Sequence, residues 1–156
     1  MGKEHNYQTK IVWTGNTGNG TESYKSYERS HKIVIENKID LQSSSDPAFL
    51  GDKTKHNPED LLVSAISSCH MLWYLHLCSV NGIIVTEYED NASGKMIESD
   101  INGGQFIEVT LKPNVTITKK EKIEKANELH KEANKMCFIA NSCNFPIKHI
   151  PSCKSE

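Results

Sequence analysis

Five cysteines, Cys69, Cys78, Cys137, Cys143 and Cys153, are the residues of this 156-residue chain best suited to chemistry. Cys69 stands in Ser67-Ser68-Cys69-His70, within a run from Leu61 to Val80 that lacks Asp, Glu, Lys and Arg. Left buried, it is a small hydrophobe. To act as a nucleophile it needs a thiolate stabilised by a helix N-terminus, a cation or a metal. The helix predicted around it starts about three turns earlier, out of useful range of its own dipole. A cation must therefore come from another element. Arg29 is the only arginine in the chain. A guanidinium keeps its charge when partly buried and can hold a thiolate and a carboxylate through one planar fork, whereas a buried lysine can lose its proton. The same residue could equally be an ordinary surface cation.

Glu59 is a candidate to orient Arg29, or simply a complement to the helix dipole. Ten residues separate Glu59 from Cys69, roughly 15 Å of helix at about 1.5 Å per residue. One guanidinium cannot span that distance, so a shared site would take Glu59 from a second copy through antiparallel pairing of this helix. Cys137, at the end of a second predicted helix, is either a buried terminal residue or a resolving thiol that condenses with a sulfenic acid. Cys143 is a weaker resolving candidate, Cys78 lies on another turn of the Cys69 helix, and Cys153 falls in the tail.

Other chemistries fit less well. Cys69 and His70 point about 100° apart on a helix, and Cys137 and Cys143 lack short metal-ligand spacing, so no metal is expected. There is no G-x-S-x-G elbow, Walker loop or GxGxxG. A net charge of -2 supplies no footprint for nucleic acid and no polybasic membrane patch. An odd cysteine count argues against a closed disulfide framework. The polar start, Met1 to Lys10, does not read as a secretory signal, so the expected location is cytoplasmic. The uncharged run is long enough to span a bilayer, but Ser64, Ser67, Ser68, His70 and His76 interrupt it. A helix buried almost all round inside protein is the reading adopted.

The elements that must position these groups follow an α+β order. Strands fill 7–41, with Thr21 to Arg29 as the middle strand of a meander. Asn57 as N-cap, Pro58 at the first helical position and Asn81-Gly82 as the stop predict a central helix over 57–80. Strands occupy 83–117, with a hairpin turn at Asn91-Ala92-Ser93-Gly94. Thr118 and Glu121 have capping-box spacing for a second helix over 119–136, whose stripe is Ile123, Ala126, Leu129, Ala133 and Met136. A closing strand covers 145–150. The whole, 1–156, is read as one domain.

Asn57-Pro58-Glu59-Asp60-Leu61-Leu62 followed by Cys69-His70 resembles the signature of the OsmC/Ohr superfamily. Leu129-His130, Ala133 and Cys137 resemble its second cysteine region, and Trp13-Thr14-Gly15, Gly94 and Leu111-x-Pro113 also fit. The resemblance implies antiparallel sheets wrapped around two central helices in an intertwined homodimer. It implies a thiol-dependent peroxidase for organic hydroperoxides, with Cys69 as nucleophile, Cys137 as resolver, Arg29 as thiolate partner and Glu59 as its support. No bound cofactor is expected; the reductant would be a dithiol, such as a lipoylated protein. Phe138 departs from the proline usual after the second cysteine. The rival reading is a non-catalytic protein on the same fold that binds an apolar molecule or senses oxidation.

Overall fold

The computed structural model describes residues 2–101 and 103–156. The chain resolves into two compact units, residues 1–61 and 62–156.

In the first unit, β1 (Lys10–Trp13), β2 (His31–Val34) and β3 (Leu41–Ser43) form an antiparallel sheet in the order β1-β2-β3. The expected meander is present, but Thr21 to Arg29 is not one of its strands. The segment between β1 and β2 is a loop of turns and bends, with one isolated bridge between Asn16 and Tyr27. Polar side chains there take the place of a ladder, a competition expected of Asn, Ser and Thr. The Asn16 side-chain carbonyl accepts from the Gly18 and Gly20 amides, and Thr17 Oγ1 donates to the Ser26 carbonyl. Trp13 Nε1 donates to the Glu28 carbonyl over 2.8 Å, closing the loop at its base beside Gly15.

The helix α1 (Pro58–Val80) begins where the sequence places it: Asn57 Oδ1 accepts from the Asp60 amide over 2.7 Å. From Leu62 onward α1 belongs to the second unit. Its buried residues there are Ile66, His70, Tyr74 and Cys78, a single i, i+4 stripe. The remaining faces are half-buried or exposed; Leu72 is 63% and Val80 64% exposed. Burial all round, as the sequence suggested, is not met within one chain.

Behind that stripe lies a bent three-stranded ribbon. β4 (Val85–Asp90) pairs antiparallel with β7 (Pro113–Ile117), and β5 (Ser93–Ile97) with β6 (Gln105–Leu111). Asn91 to Gly94 is therefore not a hairpin turn. It is the kink where the chain passes from one sheet to the next, and it faces a matching kink at Lys112, whose amide donates to Asp90 Oδ1 over 2.6 Å. The reversal lies instead between β5 and β6. β8 (Ile147–His149) and β9 (Ser152–Ser155) then add in parallel to β6 and β7, so the sheets are mixed. The tail assigned to Cys153 is the strand β9.

Parallel addition requires a crossover. It is made by α2 (Ile123–Met136) and the short α3 (Phe138–Asn141). The Thr118 capping box does not form: the Thr118 amide bonds the Ile84 carbonyl, and a 3-10 turn at Lys120–Lys122 leads into α2. Ile66 packs with Val109 and Leu111, while Tyr74 and Cys78 pack with Val115, Ile117, Ala126, Leu129 and Ala133. One helix stripe thus serves both halves of the kinked ribbon.

A methyl group at Gly15 would fall on the Glu28 carbonyl, where backbone must give way. Gly15→Ala is expected to cost about 1–3 kcal/mol, the range for overpacking. This would be read as a lower urea midpoint for the fluorescence of the adjacent Trp13; an unchanged midpoint would refute the close approach.

Candidate functional site

Cys69 and Cys137 meet in the second unit. Cys69 lies on α1 one residue before the buried His70 and is itself half-buried. Cys137 joins α2 to α3, is wholly buried, and is a free thiol like the other four cysteines. Its backbone is extended, with φ -70° and ψ 110°, and its Sγ accepts from the Ala140 amide over 3.3 Å as the N-cap of α3. Burial first, and then the hydrogen-bonding Cys69 side chain, push the Cys137 thiol up to about 11. Cys137 is thus held as the neutral thiol at neutral pH, against the neighbouring sulfur.

Phe138 occupies the first position of α3, 68% exposed and edge-on to Trp73 at 5.6 Å. That position accepts proline without loss, and an extended Cys137 is the conformation that precedes one. The departure from proline leaves the local backbone suited to either residue.

Arg29 and Glu59 belong to the first unit. Arg29 donates from Nη1 to the Tyr27 carbonyl and from Nη2 to the Tyr24 carbonyl, both at 2.6 Å. Its Cζ stands 4.3 Å from the centroids of both tyrosine rings. An open hollow of about 270 Å³ beside it is walled by Glu28, Ser30, Ser44, Leu50, Gly51 and Asp52. Among the described residues no ion pair joins Arg29 to Glu59. Glu59 keeps a buried Oε2 without a hydrogen-bond partner, a costly state for a carboxylate oxygen. The structure brings the two thiols together and leaves the cation and the carboxylate unpaired with each other.

A second cluster, of histidines, has no signal in the sequence. His70 Nε2 and His130 Nδ1 are 3.0 Å apart, with ring centroids 5.3 Å apart and planes within 7°. Nearly coplanar rings whose nitrogens face each other at this distance share one N–H···N hydrogen bond. His130 also stacks on Tyr74 at 3.8 Å, and His149 lies 5.8 Å from His70. Among the described residues no group of three His, Cys, Asp or Glu is arranged to hold a metal. The seven-residue step from His130 to Cys137 sets both on one face of α2, but nothing in the sequence pairs position 70 with position 130.

A family model described as OsmC-like protein matches residues 51–151. The chain belongs to the OsmC-like family. An OsmC-like protein of unknown function from Vibrio cholerae superposes with a TM-score of 0.83 at 25% identity, over 96% of this chain and 100% of that one. An organic hydroperoxide resistance protein from Elizabethkingia anophelis gives 0.71 at 16% identity over 100% of both chains. OhrB of Bacillus subtilis, also an organic hydroperoxide resistance protein, gives 0.62 at 20% identity over 95% and 98%. At these identities the last two establish the fold alone. No curated protein matches the chain. The α+β OsmC-like fold read from the sequence is therefore correct, with mixed sheets in place of purely antiparallel ones.

Burial holds His70 down at about 4 and His130 at about 3, each also lowered by a neighbouring imidazole, while Asp90 opposes the shift at His70. His149 is lowered too, by burial and by Lys131. Folded-state values below the unfolded 6.5 mean that the unfolded chain takes up protons first. The stabilisation is complete above pH 6.5 and is lost as pH falls toward 4, at up to about 1.4 kcal/mol per pH unit for each group. Thermal stability is expected to fall between pH 7 and pH 5 and to fall less steeply in His130→Phe. Equal slopes in the two proteins would contradict the assignment.

Proposed function

We propose that this OsmC-like chain is a thiol peroxidase that reduces organic hydroperoxides with Cys69 and Cys137. The single observation that carries the reading is the contact of the half-buried Cys69 with the buried, protonated Cys137. The Cys69 thiolate attacks the outer peroxide oxygen; an S–O bond forms, the O–O bond breaks, and the alkoxide leaves and takes up a proton as the alcohol. The Cys137 sulfur then attacks the sulfenic acid. An S–S bond forms, and the hydroxyl leaves as water with the thiol proton. A dithiol reduces the disulfide by exchange; a lipoylated protein fits that part. No metal or bound organic cofactor enters this sequence.

Arg29 stabilises the thiolate and Glu59 supports Arg29, in a homodimer built by antiparallel pairing of α1. Two observations support this part. The outer faces of α1 carry apolar side chains that one chain leaves uncovered: α1 is the one described helix long and apolar enough to cross a membrane, with only 22% of its apolar window buried. A second copy of the helix would remove that surface from water. The unpartnered Glu59 Oε2 is the acceptor such an assembly would satisfy. Apolar walls favour an alkyl hydroperoxide over hydrogen peroxide, because burying the alkyl group is favourable. Reduced thiols are kept in the cytoplasm, where we place the protein.

With a dithiol as reductant, wild type is expected to consume cumene hydroperoxide faster than hydrogen peroxide. Cys69→Ser should lose at least ~10³-fold in rate, as other nucleophile removals do. Consumption that survives in Cys69→Ser would sink the proposal.

A further inference from the structure

We infer that Tyr24 and Tyr27 are positioning residues for the Arg29 cation, a clamp that aims the guanidinium without neutralising it. This rests on the peroxidase reading, in which Arg29 faces the Cys69 thiolate.

The clamp is built from one short segment. Two tyrosines three residues apart supply both ring faces, each 4.3 Å from Cζ, and both carbonyls, each 2.6 Å from a terminal guanidinium nitrogen. Rings at that range attract a cation through their negative faces. Neither ring nor carbonyl carries a net charge. With Glu59 already proposed as the acidic support of Arg29, a further carboxylate in the place of these rings and carbonyls would hold Arg29 equally still but would weaken the field that the thiolate needs. Of the five guanidinium donors, two are engaged by the carbonyls and three remain to meet an anion.

The segment is braced on all sides. Trp13 meets the Tyr27 ring edge-on at 5.8 Å, Tyr24 Oη donates to the Phe49 carbonyl, and Ser26 Oγ donates to the Ser23 carbonyl while accepting from the Ser23 amide. The Arg29 carbonyl is itself bonded by His31 Nδ1 at 2.9 Å. Arginine otherwise gives up rotamer freedom when it is fixed. Here much of that ordering is complete before substrate arrives. The charged neighbours Glu28 and Asp52 do not consume the cation: Asp52 is held by Thr54 and Lys55, and Glu28 Oε2 accepts from Ser30.

The test is the pH profile of Cys69 alkylation by iodoacetamide, resolved by peptide, in Tyr24→Leu, Tyr27→Leu, Tyr24→Phe, Tyr27→Phe and Arg29→Gln. The leucine variants should move the profile to higher pH, in the direction of Arg29→Gln, with alkylation at pH 6.5 slowed about threefold or more, the rate expected of a half-unit shift. The phenylalanine variants keep the ring faces and should stay with wild type. Tyr24 is 58% exposed, so Tyr24→Leu reports even if Tyr27→Leu disturbs the loop. Leucine variants that alkylate like wild type while Arg29→Gln is slowed overturn the clamp and leave the cation assignment standing. An Arg29→Gln profile equal to wild type overturns the clamp and the cation assignment together.

Discussion

One stripe of α1 governs this structure: Ile66, His70, Tyr74 and Cys78, spaced by four and turned inward. The stripe fixes the rotation of the helix about its axis, and that rotation decides the exposure of every other residue on it. Cys69 precedes the buried His70 and so falls at the border of the stripe, half in and half out. The His70–His130 hydrogen bond and the Tyr74–His130 stack tie the same stripe to α2. Cys137 sits two turns further along α2, and the register of the two helices brings its sulfur to Cys69. A rotation of α1 by one residue would bury Cys69 and take the pair apart. The His70–His130 bond thus acts as a polar lock on the helix pair.

The same rotation leaves the outer faces of α1 with more apolar surface than a lone chain should present. The proposed pairing of two α1 helices would cover that surface. In the proposed chemistry, activation of Cys69 does not come from its own helix, and the cation assigned to it, Arg29, stands on a separate, braced loop. The loop invests its hydrogen bonds in holding the guanidinium still. Neutral carbonyls and ring faces suit that task because they leave the positive charge to act elsewhere.

Much of this was legible in the sequence where the signal is local. Asn57, Pro58 and Gly82 marked the ends of α1, and the three-and-four spacing of Ala126, Leu129 and Ala133 marked α2; of the two resolving candidates weighed, Cys137 is the one beside Cys69. Features set by tertiary pairing were not legible. Asn91 to Gly94 has turn chemistry, yet it forms a kink, because its strands pair across Asp90 and Lys112 into different sheets. Thr21 to Arg29 carries aromatic residues suited to a strand, but the Thr17 and Ser26 side chains bond its backbone and hold it as a loop. β9 was missed because its partner β7 lies 35 or more residues away in sequence. The histidine pair joins positions 60 residues apart, which no local spacing reveals.

The proposed chemistry requires two sulfurs to meet, and peptide mass mapping after one equivalent of cumene hydroperoxide tests that most directly. A single intramolecular bond between Cys69 and Cys137, absent from Cys69→Ser, is the expected product. Cys69 recovered unmodified, or bonded instead to Cys143, would contradict it.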